Sequence, residues 1–169
     1  MLETLRHPAR APLALLAGTL AVIAGFLWFQ YGMGLAPCKL CHWQRVPYYL
    51  GAVVFPVVWL LHRRGGWAGG AGRALMLVAG LAFLIGAGVA FYHVGVEQTW
   101  WAGPDSCSGG IAPGGSIDDA VKRLMAAPVV RCDAIVWSLF GISMAGYNVL
   151  LSLALGLGAL ISAGRMRTE

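Results

Sequence analysis

Cys38, Cys41, Cys107 and Cys132 are the four cysteines of the chain, and they fall into two kinds of pair. Cys38-Lys39-Leu40-Cys41 is a C-x-x-C, whose short, strained ring is typical of exchangeable thiols. Cys107 and Cys132 are separated by 24 residues. Closing a loop of that length stabilises a fold by about 3–4 kcal/mol on the chain-entropy model, so this pair taken alone reads as a structural staple. Arg45 lies four residues after Cys41, on the same face if both are helical. A helix beginning near Leu40 puts Cys41 in its first turn, where unpaired N–H groups and the helix dipole favour a thiolate. The residues leave competing chemistries open. Cys38-Lys39-Leu40-Cys41-His42 also matches C-x-x-C-H, the covalent haem motif. Four cysteines can bind zinc, although the second pair lacks the usual ligand spacing. All four can simply staple a helical protein.

The elements that must position these groups are membrane spans. Of 169 residues 59% are hydrophobic and 11% charged, too few charges to coat a soluble surface of this size. Crossing a hydrocarbon core of about 30 Å takes roughly 20 apolar residues as a helix. Uncharged stretches at 13–36, 46–61, 74–96 and 134–164 place four spans at approximately 13–34, 41–61, 74–96 and 135–161. The second reaches full length only by starting early enough to include Cys41 and Arg45. The fourth is longer than a crossing needs, so its ends must tilt or lie in the interface. Small residues four apart (Ala17, Ala21, Gly25; Ala82, Gly86, Ala90; Ala154, Gly158, Ser162) predict close helix contacts and an all-α four-helix bundle with no further domain.

Charge sets the expected orientation. The termini and the 62–73 connection hold seven basic residues against two acidic ones, whereas the opposite side holds five of each. The whole net charge of +5 therefore sits on one face, which positive-inside makes cytoplasmic. The basic balance is a topology signal and not a nucleic-acid footprint. Both termini are expected inside, and all four cysteines outside, in an oxidising compartment. The outer loop, 97–133, is expected to carry a short amphipathic helix from Ser116, with Ile117, Val121, Leu124 and Met125 on one face. Intramembrane or boundary charges are costly and usually functional; the bland reading of Arg45 is snorkelling to headgroups.

Pro37-Cys38-Lys39-Leu40-Cys41-His42-Trp43-Gln44-Arg45 resembles the P-C-x-L-C-x-x-[EQ]-R signature of DsbB, the bacterial disulfide bond formation protein B family. Trp28-Phe29-Gln30, Tyr92-His93 and Cys132-x4-Trp137-x3-Gly141 fit the same family, over essentially the whole chain. The resemblance implies a thiol:quinone oxidoreductase of the inner membrane. It would reoxidise a DsbA-like periplasmic dithiol protein and pass electrons to a membrane quinone (ubiquinone or menaquinone) and so to the respiratory chain. It also implies roles. Cys107 would take the partner's attack, and Cys132 would be its loop partner and relay to Cys38. Cys41 would meet the quinone, and Arg45 would polarise a quinone oxygen. His93, Gln30 and Met144 would lie near that pocket. Span one lacks the acidic residue of some members. The vitamin K epoxide reductase type shares the chemistry, but its C-x-x-C usually lies late in the bundle.

Overall fold

With no water in the bilayer to pair backbone groups, an apolar run must satisfy its own N–H and C=O groups, and these runs do so as helices. The computed structural model describes residues 10–63, 70–104 and 131–166. Helix α1 spans Ala11–Leu27, with Pro12 in its first turn, where the missing N–H costs nothing. It runs on into a π-helical turn, Trp28–Gly32. Helices α2 (Lys39–Arg63), α3 (Ala71–Glu97) and α4 (Met144–Arg165) complete the bundle. All four are long and apolar enough to cross a membrane. Cys107 and the short helix expected from Ser116 lie outside the described residues.

The fourth span differs from its expected 135–161. Its helix begins at Met144, and the preceding apolar residues form a two-stranded hairpin of β1 (Ser138–Leu139) and β2 (Ile142–Ser143). Phe140 and Gly141 turn it, at φ 51° and 78°. Two consecutive left-handed residues make the tight hairpin turn whose twist matches its strands, and glycine adopts the second without strain. Ser143 then starts the helix, its Oγ accepting from the Gly146 N–H at 3.2 Å. Hydropathy runs unbroken through this segment and so hides the boundary.

All four helices contribute to the core, α1 through Leu15 with Val22 and Phe26 packed against it. Phe83 of α3 stacks on Phe55 and meets the Tyr48 ring edge-on, at 6.2 and 5.2 Å between centroids. Helices α3 and α4 cross at Gly80 and Gly156. A Cβ on Gly156 would lie 3.1 Å from the Gly80 carbonyl oxygen, and one on Gly80 would lie 3.2 Å from that of Gly156. Likewise Gly86 lets Pro47 approach, its absent Cβ lying 2.7 Å from Pro47 Cγ. The stripe on α1 behaves otherwise: Ala17 and Ala21 are exposed and nothing lies within 4 Å of a Cβ on Gly25. Small residues there leave room instead of bringing backbones together, and a cavity occupies that room.

Gly156→Val, forcing a branched side chain against the Gly80 backbone, is expected to destabilise by about 1–3 kcal/mol. Gly88→Ala, at an exposed helix position with nothing within 4 Å, should be neutral or slightly stabilising. Thermal unfolding in detergent compares them: the first lowers Tm by several degrees and the second does not.

Candidate active site

Cys38 immediately precedes α2, and its sulfur accepts from the Cys41 backbone N–H at 3.3 Å. That is the bond an N-cap side chain makes to the third helical residue. The His42 N–H bonds the Cys38 carbonyl at 3.2 Å, so the helix is wound from Cys38 onward. Cys41 therefore stands in the first turn. The Cys38 thiol donates to the Cys41 sulfur across 3.0 Å. This bond, ahead of burial, pushes the Cys38 thiol up to about 12, while contact with His93 works the other way.

Cys132 comes to the same place from the far side of the loop. It is buried, and packs with Cys38, Leu40, Val96 and Cys41. Three of the four sequence-predicted cysteines are thus gathered at one end of the bundle. Arg131 and Asp133 flank Cys132 and join through two bonds, at 2.9 and 2.6 Å. The Arg131 guanidinium holds the Asp133 carboxyl below the usual carboxylate range. So exposed a pair adds little stability.

His93, buried on α3, reaches this cluster. Its Nε2 lies 3.1 Å from the Cys132 carbonyl oxygen, 3.7 Å from the Cys38 sulfur and 4.0 Å from Glu97 Oε1. Its Nδ1 meets Gln44 Nε2 at 2.8 Å. The two sulfurs and Nε2 lie within 4.8 Å of one another, the spacing of a soft-metal ligand set. Nε2, however, faces three acceptors, so it presents a proton there and not a lone pair. His42, the other half of the haem-like motif, is exposed.

One turn below Cys41, Arg45 is held from two directions. Its Nη1 donates to Gln30 Oε1 at 2.6 Å, and its guanidinium carbon lies 4.4 Å over the Phe26 ring. The π-helical turn presents Gln30 for this bond. There the Met33 N–H reaches back five residues to the Trp28 carbonyl at 3.1 Å. Beneath the cysteines opens a largely apolar cavity of about 500 Å³. Cys38, Cys41, Arg45, His93 and Met144 all line it. Phe29 and Trp137 wall one side, at 4.9 Å between centroids. Gln30 reaches the cavity only through Arg45. Such a volume, with few polar groups at one end, suits a flat ring bearing polar oxygens and an apolar tail.

Glu97, Gln44 and Asn148 are not among the expected site residues, although Gln44 stands at the [EQ] position of the signature. Glu97 also lines the cavity and accepts from the Ser143 hydroxyl. Gln44 accepts from Asn148 Nδ2 at 2.6 Å. A polar residue every helical turn on the cysteine face of α2 (Cys41, Gln44, Arg45, Tyr48) was the available signal for Gln44. For Asn148, a lone amide inside an apolar span was the only one.

Fold and site together define a class: a multi-pass membrane protein carrying a C-x-x-C thiol pair at the head of one span. Comparison with known proteins agrees. The family described as disulfide bond formation protein DsbB matches residues 8–162. Disulfide bond formation protein B of Dechloromonas aromatica is 36% identical over 160 residues, 85% of this chain and 86% of that one. That of Polaromonas naphthalenivorans is 28% identical over 175 residues, 100% and 99% of the two chains. Disulfide bond formation protein B 2 of Pseudomonas aeruginosa is 32% identical over 144 residues, 82% and 80%. No solved structure matches. The chain belongs to the DsbB family, whose oxidoreductase activity serves disulfide formation.

With its thiol pushed to about 12, Cys38 of the reduced protein is protonated at neutral pH. Alkylation of Cys38, read by mass spectrometry, is expected to be slow at pH 7 and to rise about tenfold per pH unit towards that value, with no plateau near pH 9. Fast labelling at pH 7 would show that the Cys41 bond does not hold its proton.

Proposed function

We propose that this protein is a membrane thiol:quinone oxidoreductase that reoxidises a DsbA-like dithiol protein on the outer face. The carrying observation is the burial of Cys132 against the Cys38–Cys41 dithiol at the head of the cavity that Arg45 lines. Physical necessity supports the reading. A soluble dithiol protein does not enter lipid, and a quinone's isoprenoid tail does not leave it. Two electrons must cross the interface, and successive disulfide exchange carries them.

The exchange steps balance. A partner thiolate attacks Cys107, forming a mixed disulfide and breaking Cys107–Cys132; Cys132 leaves as a thiolate. The partner's second thiol displaces Cys107, and the partner departs oxidised. Cys132 attacks Cys38, forming Cys132–Cys38 and breaking Cys38–Cys41, with Cys41 leaving. Cys107 then displaces Cys38 from Cys132 and restores the loop disulfide. The reduced Cys38–Cys41 pair holds two electrons and two protons. The quinone, when bound, accepts both and becomes the quinol. The chain's own part is to hold it. Arg45 supplies a fixed positive charge for a quinone oxygen, which Gln30 and Phe26 keep aimed. Cys41 supplies the reducing sulfur one turn away, and Met144 with the aromatic wall supplies apolar surroundings. His93 offers Nε2–H beside Cys38. In this reading the cysteines face the periplasm and both termini the cytoplasm, in the inner membrane.

Purified protein with a reduced DsbA-like partner and quinone should consume both, one for one. Cys41→Ser is expected to abolish quinone consumption, and full turnover in that variant would sink the reading. Arg45→Ala should raise the KM for quinone by roughly tenfold or more, the scale of a lost hydrogen bond to a charged group. Gln30→Ala, which only loosens Arg45, should raise it less. An unchanged KM in Arg45→Ala would remove the guanidinium from the site.

A further inference from the structure

His93 is the terminus of a buried polar chain that crosses the bundle. Tyr48 OH lies 2.5 Å from Asn148 Oδ1, Asn148 Nδ2 lies 2.6 Å from Gln44 Oε1, and Gln44 Nε2 lies 2.8 Å from His93 Nδ1. Ser152 Oγ adds a second hydroxyl, 2.9 Å from Tyr48 OH and 3.4 Å from Asn148 Oδ1. Gln44, Tyr48 and Ser152 are buried. Buried polar groups are costly unless every member is paired, and here the members pair in one direction.

The direction is carried by the two amides, since the hydroxyls at the far end can donate or accept. Nε2 of His93 faces the Cys132 carbonyl, the Cys38 sulfur and a Glu97 oxygen, all acceptors, so Nε2 carries a proton. The Cys38 thiol proton is already directed at Cys41. At Nδ1, Gln44 can offer its NH₂ or its oxygen. Offering NH₂ leaves Nδ1 an acceptor and the ring neutral; offering oxygen requires a second ring proton and a charged ring. The choice propagates. With its NH₂ on His93, Gln44 points its oxygen at Asn148, which must answer with NH₂ and turn its own oxygen to Tyr48 and Ser152. Both of these are hydroxyls able to donate. Every group is then satisfied with an uncharged ring. The charged ring instead demands reversal of both amides at once.

We infer that Gln44, Asn148 and Tyr48 are positioning residues that keep His93 neutral, with its single proton on Nε2, between the Cys132 carbonyl at 3.1 Å and the Cys38 sulfur at 3.7 Å. The chain thereby gives Cys38 a hydrogen-bond donor without placing a second full positive charge beside the one Arg45 supplies. It also puts the ring's free lone pair on Nδ1, facing Gln44, and leaves none on Nε2 for a metal at the two sulfurs. The value of that donor to thiol exchange rests on the function proposed above; the tautomer does not.

Nitrogen NMR of the full chain, reduced, in lipid nanodiscs and labelled only at histidine, reads the tautomer directly. His93→Gln identifies its signals among the four histidines. At neutral pH the expected pattern is one pyridine-like nitrogen at Nδ1 and one pyrrole-like nitrogen at Nε2. Two pyrrole-like nitrogens, or a proton on Nδ1 alone, would overturn the inference. Gln44→Glu keeps the shape but offers Nδ1 only acceptor oxygens once ionised, and should convert Nδ1 to pyrrole-like. An unchanged spectrum would show that position 44 does not set the ring's charge. Tyr48→Phe removes one hydroxyl and nothing else, so it remains usable if Gln44→Glu does not fold. It should broaden or shift the Nδ1 signal, and a spectrum identical to the parent's would count against the chain. These spectra are taken without quinone or partner. Loss of the tautomer pattern and loss of quinone turnover are therefore separate failures.

Discussion

The sulfur of Cys38 has two jobs, and the rest of the site follows from their coincidence. It accepts the Cys41 N–H that starts α2, and it is half of the dithiol. A helix needs a group at its N-cap because its first N–H donors have no partner in the chain. Most proteins use a hydroxyl or carboxylate there. Here a cysteine takes the place, which fixes the second cysteine in the first turn, nearest the positive end of the helix dipole. Arg45 then falls one turn deeper on the same face. The spacing of dithiol, dipole and guanidinium is thus a consequence of where one helix begins.

That helix start also explains the open interior. A dithiol at the head of α2 can serve a lipid-soluble acceptor only if the space beneath it is accessible, and close packing would close it. Helices α3 and α4 approach through Gly80 and Gly156, whereas α1 presents Ala21 and Gly25 to the cavity. The small side chains of α1 serve volume and those of α3 and α4 serve contact. The π-helical turn ending α1 serves the same end. It reaches back over the cavity far enough for Gln30 to hold Arg45. Without that bond and the Phe26 face, a long guanidinium side chain at a membrane boundary would seek water or headgroups.

Much of this was legible in the chain. Four apolar runs among few charges announced four helices, and the C-x-x-C with Arg45 four residues on announced the site. The shortness of the second run even located the start of α2, because only an early start makes it long enough to cross. The rest was hidden for specific reasons. The α4 boundary lies within an unbroken apolar segment, and its marks, Gly141 in a tight turn and Ser143 as cap, are local signals that hydropathy averages away. The α1 stripe has the same small-residue spacing as a packing motif, and spacing alone does not say whether it meets a helix or a void. The polar chain joins residues about a hundred positions apart, Tyr48 to Asn148, and no local pattern carries such a pairing.

The N-cap places one further demand on the chemistry. In the proposed exchange the Cys38 sulfur would pass between thiol, disulfide to Cys41 and disulfide to Cys132. A serine or aspartate cap could make none of these bonds. Sulfur retains lone pairs in all of them, so an acceptor for the Cys41 N–H persists in each, although a weak one. What changes is the donor side. The thiol proton shared with Cys41 disappears on oxidation, and the sulfur's remaining donors are that backbone N–H and the Nε2–H of His93. Both come from groups fixed elsewhere, one by the helix and one by a chain of amides. In that scheme the Cys38 sulfur would change partners among sulfurs while its hydrogen-bonding surroundings stay in place.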